Sequence, residues 1–380
     1  MYQIPLSLYI HFPWCVRKCP YCDFNSHALN GKLDEESYII ALLSDLDNDL
    51  HYVQDREIVS IFMGGGTPSL FSAESMQRLM DGIRQKLHLA KNCEVTMEMN
   101  PGGVEHGNLP GYRIAGINRL SIGIQSFQPE QLKKLGRVHN QTEAIEIVSK
   151  VKTAGFDNIN LDLMYALPQQ SVHEALSDLQ QAIDLQPQHL SWYHLTIEPN
   201  TEFYRRPPTL PDEDTSMAIE AAGKDLLVKN GFQQYEVSAY SKTPELQAQH
   251  NCNYWEFGDY LGIGAGAHSK ITDLKTGKIT RYTKHRTPRK YLANSAPFIS
   301  NERVLTEQDK IIEFMFNTLR LTAGFSSKLY TTRTGMPQTT IAPLLTQAQQ
   351  RGFLLVNEHR ISPTALGQQF LNEMLGIFMS

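Results

Sequence analysis

Apolar and polar positions along the first two-thirds of the chain follow two alternating rhythms. Short apolar runs, namely LSLYIHF, IVSIFMGGG, CEVTMEMNP, INRLSIGIQS, NINLDLMY and HLSWYHLTIEP, have the length and makeup of strands, and each ends in turn or polar residues. Between most of them lie segments with apolar residues at three- and four-residue steps: Glu35 to His51, Ala73 to Leu87, Thr142 to Ala154 and Val172 to Leu185. These predict amphipathic helices. A repeating strand–helix–strand order predicts right-handed crossovers and a parallel sheet, an α/β fold that either curls toward a barrel or opens into a doubly wound sheet. Both architectures put their sites at the C-terminal ends of the strands. His11, the run Gly64 to Gly66, Glu98, Gln125 and Asp162 are therefore expected at one mouth, although each alone also reads as a turn residue or a solvated polar group.

After about Tyr240 the rhythm breaks. The stretch SKTPELQAQHNCNYWEFGDYLGIGAGAHSK has no clean period and is rich in glycine and aromatic residues, as expected of a segment packed near a site. A different pattern starts near Thr306, with helices expected over 307–319 and 340–350, a hairpin wing in GFLLVNEHRISP and a terminal helix over 364–378. Three stretches result: a βα-repeat domain over 1–240, a connecting segment over 241–300, and a small α+β, winged-helix-like domain over 301–380.

Composition narrows the chemistry. With 380 residues, 41% hydrophobic and 20% charged, the chain supports a sizeable core. No secretory leader and no apolar run of membrane-spanning length is visible, so a cytoplasmic location is expected. A net charge of −5, with seven Lys and Arg against six Asp and Glu in residues 301–380, argues against nucleic acid even for a winged-helix unit. Small molecules and proteins are the expected partners.

Five cysteines are an odd count, and a chain of this size needs no disulfide staples. Cys15, Cys19 and Cys22 form a C-x3-C-x2-C set in the loop after the first strand, too tightly spaced for ordinary disulfides among themselves. A metal is the natural inference. Zinc would need a fourth ligand from His11, His27 or a distant side chain, whereas a four-iron cluster on three thiolates leaves one iron open to an external ligand. Cys93 reads as core packing, and Cys252 lies outside any C-x-x-C-H attachment pattern.

The C-x3-C-x2-C loop, with Tyr21 before the last cysteine and GGGTP at Gly64 to Pro68 one βα unit later, resembles the radical S-adenosylmethionine superfamily. That resemblance implies a partial parallel (β/α) barrel, a [4Fe-4S] cluster on Cys15, Cys19 and Cys22, and S-adenosylmethionine on the open iron. TMEMNP, RLSIGIQSF, LGRVHN and INLDLMYALP narrow it to the branch of oxygen-independent coproporphyrinogen III oxidases and haem chaperones, over nearly the whole chain including the small C-terminal domain. Carried over by motif, Tyr9, Tyr21, Gly65, Gly66, Thr67, Glu98, Gln125, Arg137 and Asp162 are expected around S-adenosylmethionine, with Glu98 accepting from a ribose hydroxyl. Arg137 also reads as a plain carboxylate clamp or a surface ion pair.

Two departures separate the relatives. The oxidase pattern has a further cysteine two residues after the third, where this chain has Phe24, and it begins with an extension that this chain lacks. HNCNYW at His250 to Trp255 matches the H-N-x-x-Y-W motif of the chaperone branch, which implies His250 as a haem ligand; the bland alternative is a core histidine bonded to backbone. The expected function is thus a haem carrier that delivers to acceptor proteins such as respiratory enzymes or iron-storage proteins, with no catalytic residue assigned. Peripheral membrane association and a homodimer are compatible with it. The alternatives are an oxidoreductase that decarboxylates coproporphyrinogen III, or a radical enzyme for another substrate.

Overall fold

The computed structural model describes residues 4–102, 109–293 and 297–379. Its centre is a mixed sheet of twelve strands. In chain order these are β1 Leu6–Phe12, β2 Ile58–Gly65, β3 Leu89–Met99, β4 Arg119–Gln125, β5 Ile159–Tyr165, β6 His189–His194, β7 Gln233–Gln234, β8 Ala239–Ser241, β9 Asp259–Ile263, β10 His268–Thr272, β11 Ile279–Lys284 and β12 Ile299–Val304. The spatial order is β12-β11-β10-β9-β1-β2-β3-β4-β5-β6-β8-β7. Strands β1 to β6 pair parallel in sequence order, and β9 pairs parallel with the free flank of β1. Strands β8 and β10 to β12 add antiparallel extensions at the two ends. This is the expected α/β partial barrel, and residues 259–304, which carry no βα rhythm in sequence, enlarge its sheet.

Alternation along the parallel strands decides what each face does. On β1, Leu6, Leu8, Ile10 and Phe12 belong to the main apolar core together with Tyr38, Leu42, Leu79 and Ile83 from the helices. Ser7, Tyr9 and His11 occupy the other face, and the parallel registers carry that face across Phe62, Glu98, Ser121 and Asp162. A strand buried on both sides would usually be apolar throughout. Here the inner face is polar because it lines cavities, and the outer face alone supplies the packing.

The helices start where local chemistry dictates. In α1 (Glu35–Asp49), Asp34 caps the Ser37 amide at 3.1 Å. Capping boxes open Gln141–Thr153 (Asn140 with Glu143) and Val172–Asp184 (Ser171 with Glu174). No helix among the described residues is long and apolar enough to cross a membrane.

Beyond β12 a second core gathers Phe314, Tyr330, Ile341, Phe353, Ile361 and Phe378. The hairpin wing is present as Leu354–Val356 against Arg360–Pro363, joined by Phe325–Ser326. The single terminal helix expected over 364–378 is instead divided at Phe370, whose backbone (φ −108°, ψ 45°) leaves the helical region. Phe257 also belongs to this second core, and Arg333 Nε donates to Glu256 O at 3.1 Å. The segment following Gln249–Trp255 is thereby clamped between the sheet and the small domain.

Candidate functional site

The cysteine loop is held at both ends. Gly66 N donates to Phe12 O at 2.6 Å and Thr67 N to Trp14 O at 2.7 Å, so the glycine run closes against the end of β1. Lys18 Nζ donates to Phe24 O and Ser26 O at 3.0 and 3.2 Å, and Asn25 Nδ2 donates to Ala265 O and Arg286 O at 2.9 and 2.8 Å. On the far side Phe203 N donates to Pro20 O at 2.9 Å. Cys15, Cys19 and Cys22 are free, half-buried, and line one cavity of about 640 Å³. Burial pushes the Cys15 and Cys22 thiols up, so they ionise only where a cationic centre favours the thiolate.

These residues fit a four-iron cluster better than a single ion. No three His, Cys, Asp or Glu side chains among the described residues are disposed to hold one metal ion. A cluster does not need that convergence, because each thiolate binds a different iron. His11 is also excluded as an easy fourth ligand: its Nε2 lies 2.9 Å from Asn25 O and its Nδ1 3.0 Å from Tyr9 OH. The carbonyl can only accept, so Nε2 carries the proton and Nδ1 accepts from the tyrosine. Burial lowers the His11 pKa to about 4, which keeps the ring neutral.

Glycine is required where the loop meets the strands. Gly65 has φ +106°, and a Cβ there would lie 2.3 Å from the His11 ring; one on Gly66 would lie 2.4 Å from Trp14 O. The bare backbone leaves Gly65 N free to donate to Glu98 Oε2 at 3.1 Å. Burial first, and then the charge of Asp162, raise the Glu98 pKa to about 8 against that hydrogen bond. Asp162, also raised by burial, accepts from Ser121 Oγ at 2.9 Å and Asn160 Nδ2 at 2.8 Å. Two desolvated carboxylates beside the cysteine loop suit a ligand with cationic and hydroxyl groups, which the amino, sulfonium and ribose of S-adenosylmethionine are.

Gln125 ends β4 with φ +71°, a strained conformation for a residue with a side chain, and its Oε1 accepts from Tyr193 OH at 2.6 Å. Arg137 points inward rather than to solvent. Its Nη2 donates to Asn100 Oδ1 at 2.5 Å and Gly123 O at 2.6 Å, and its Nη1 reaches Cys19 Sγ at 3.5 Å. A guanidinium in that position favours the thiolate form of Cys19 over the thiol.

A second cavity, about 790 Å³, adjoins the first and shares Asp23, Phe24, Gly65, Glu98, Ser121 and Asp162 with it. Tyr21, Thr67, Gln125 and Arg137 line the cysteine cavity, whereas Tyr9 lines the second one with His11 and His250. His250 sits on the helix Gln249–Trp255, with the rings of Phe62, Tyr254 and Tyr9 at centroid distances of 5.1, 6.0 and 6.3 Å. Its Nδ1 is 3.2 Å from Ser60 Oγ, which is 2.7 Å from Ser7 Oγ, which accepts from Asn253 Nδ2 at 2.8 Å. Burial lowers the His250 pKa to about 3, so the imidazole is neutral and one ring nitrogen is anchored. Neutral, oriented imidazole is the form that ligates iron.

Sequence reasoning passed over Asn100 and Tyr193, although both stand at C-terminal strand ends, where position alone could have flagged them. It also passed over Tyr260, His268, Arg281 and Arg286, which reach the second cavity from β9 to β11 and beyond. Nothing local marks those residues.

Comparison with known proteins agrees with this geometry. Residues 9–182 match the radical SAM superfamily and residues 305–370 the HemN C-terminal domain. The chain is 50% identical over 376 residues to the haem chaperone HemW of Escherichia coli, covering 99% of this chain and 98% of that one. It is 32% identical to the Bacillus subtilis haem chaperone HemW, covering 98% and 99%. The solved coproporphyrinogen III oxidase HemN of Escherichia coli superposes with a TM-score of 0.83 at 21% identity, over 99% of this chain and 90% of that one, a likeness of fold. Full-length identity of this order, with the cysteine loop, glycine run and H-N-x-x-Y-W helix all facing two adjoining cavities, makes the chain a member of the HemW family of radical SAM proteins.

Proposed function

We propose that this protein binds haem in the cavity beneath His250 and passes it to a haem-requiring acceptor protein. The observation that carries the reading is His250 itself: a neutral imidazole with Nδ1 anchored on Ser60, ringed by Tyr9, Phe62 and Tyr254, at the wall of a cavity of about 790 Å³. The name haem chaperone borne by the relative 50% identical to it supports the same assignment.

Cys15, Cys19 and Cys22 would hold a [4Fe-4S] cluster. Gly65, Gly66, Thr67, Glu98 and Asp162, with Tyr9, Tyr21, Gln125 and Arg137, would surround S-adenosylmethionine. Bound together, those groups supply one-electron chemistry in the superfamily. The chain's own residues have simpler tasks. Gly65 N–H orients Glu98, Arg137 holds Cys19 and Asn100, and Tyr9, Phe62 and Tyr254 give the haem cavity an aromatic wall. Phe24, 58% exposed where the oxidase pattern has a cysteine, gives the shared mouth an apolar lip. Acceptors of the respiratory-enzyme or iron-storage class, a cytoplasmic site of action and a homodimeric carrier state belong to this proposal.

The test is anaerobic titration of cluster-reconstituted protein with haem, followed by absorbance, with coproporphyrinogen III turnover assayed on the same sample. Saturable binding that weakens in His250→Ala, without turnover, is the expected result. Turnover without tight haem binding would make the protein an oxidase despite Phe24, and the carrier reading would be withdrawn.

A further inference from the structure

The haem cavity is electrically lopsided. Asp23, Glu98 and Asp162 stand where it meets the cysteine cavity. On the other flank of β1, the β10–β11 hairpin and the turn after it contribute His268, Arg281 and Arg286 to the lining. Register explains the grouping. His268 lies directly opposite Thr283 and Lys270 opposite Arg281, so basic side chains collect on this hairpin beside the turn that carries Arg286. Burial and then the charges of Arg281 and Arg286 lower the His268 pKa, which places the three groups close together.

Their partners differ. Lys270 is committed to Asp259 at 2.7 Å. Arg281 is ion-paired with Glu313, donating to Oε2 through Nε at 2.9 Å and Nη2 at 2.5 Å, and its Nη1 donates to Tyr260 OH at 2.5 Å. Arg286 has no acidic partner among the described residues, while its carbonyl is pinned by Asn25 Nδ2 at 2.8 Å. A backbone fixed by the cysteine loop therefore presents a guanidinium without an acidic partner to a cavity whose charged lining beyond this hairpin is Asp23, Glu98, Asp162 and the buried Arg119, which faces Glu94 at 3.8 Å.

We infer that Arg286, with Arg281 and His268 beside it, is a carboxylate-binding shelf that takes the propionate side chains of the tetrapyrrole in this cavity and sets which way the ring lies. The inference rests on the haem reading of His250 and deepens it. The propionates are the anionic groups on the rim of an otherwise flat, apolar ligand. Asp23 and Asp162 disfavour them at the opposite end, and the guanidinium fork of Arg286 matches a carboxylate in shape and charge. With Arg119 buried beside Glu94, these charges favour the orientation that turns the propionates toward the β10–β11 edge.

The experiment compares haem with haem dimethyl ester, which keeps the iron and ring but lacks both charges, on the full-length protein. Wild type, Arg286→Ala and the charge-matched control Arg289→Ala, an exposed site outside the cavity, are titrated anaerobically at fixed salt. Wild type should prefer haem over the diester by about 10-fold. Arg286→Ala should lose most of that preference by weakening haem binding about 10-fold while leaving diester binding within about 2-fold, and Arg289→Ala should match wild type. Equal weakening of both ligands by Arg286→Ala, no weakening of either, or no preference in wild type overturns the shelf while leaving haem binding intact. Failure of wild type to bind either ligand overturns the haem reading and the shelf with it.

Discussion

Replacing Ser60 with alanine tests whether His250 is an oriented ligand or merely a buried ring. Ser60 is fully buried, and its Oγ sits between His250 Nδ1 at 3.2 Å and Ser7 Oγ at 2.7 Å. In the free protein Asn253 Nδ2 donates to Ser7 Oγ, and the hydroxyls of Ser7 and Ser60 can serve either tautomer of the His250 ring. Iron coordination through Nε2 fixes the direction: Nδ1 must carry the proton, and Ser60 Oγ must accept it. Coordination also makes that N–H more acidic, so the missing acceptor costs more in the haem-bound state than in the free one. Losing such an outer partner lowers metal affinity by roughly 10- to 100-fold. The free protein should lose only about 1 kcal/mol, the ordinary net value of one hydrogen bond. Haem titration of Ser60→Ala, followed through the Soret band, gives the affinity, and thermal unfolding of the haem-free variant gives the stability. Haem affinity within about 3-fold of wild type, with an unchanged spectrum, would refute the relay, since it sits well below the outer-partner range. His250→Ala supplies the floor against which Ser60→Ala is scaled.

Three further outcomes are expected. Glu98 titrates near 8 in the folded protein against 4.5 as its ordinary value, so the native state binds the extra proton and stability of the ligand-free protein should fall as pH rises between about 4.5 and 8; Glu98→Gln should flatten that fall in urea unfolding, and an unchanged slope would assign it elsewhere. Gly65→Ala forces a side chain into φ +106° and against the His11 ring at 2.3 Å, which should cost about 2 kcal/mol or more and impair cluster reconstitution; wild-type absorbance at the cluster band with an unshifted melting temperature would contradict it. Asp259, fully buried, holds Lys270 Nζ and Arg56 Nη1, each at 2.7 Å, and Asp259→Ala should destabilise the protein by roughly 3–5 kcal/mol by stranding a buried ammonium; a loss below about 1 kcal/mol by chemical denaturation would show that Lys270 finds water or another partner.

Much of the architecture was legible because it is local. Period-2 alternation within LSLYIHF and NINLDLMY separates a helix-packed face from a polar inner one, and the spacing of Cys15, Cys19 and Cys22 confines three thiols to one short loop whatever the rest of the chain does. GGGTP likewise announces a close approach, and the structure supplies its object, the His11 ring and the carbonyls of Phe12 and Trp14. The membership of the site in two adjoining cavities was not legible. Tyr9 and Thr67 read as neighbours of one ligand, yet they line different cavities, because β1 directs Tyr9 inward toward His250 while the loop turns Thr67 toward the cysteines.

What the sequence determined by itself, then, is what short-range geometry can encode: the first six strands with the main helices between them, the polar inner face, the cysteine loop and the glycine turn behind it. Tertiary structure alone decided the rest. Strand β9 returns from late in the chain to pair with β1, and that pairing brings Asn253 to Ser7, which the β1–β2 register already sets beside Ser60 behind His250. The same pairing carries β10 and β11 along, so that Arg281 and Arg286, which look like ordinary surface charges in sequence, reach a cavity whose Glu98 and Asp162 lie on strands far earlier in the chain. Contacts between segments so far apart leave no local periodicity, because neither segment needs the other to form its own turn or strand; they need each other only to close the site.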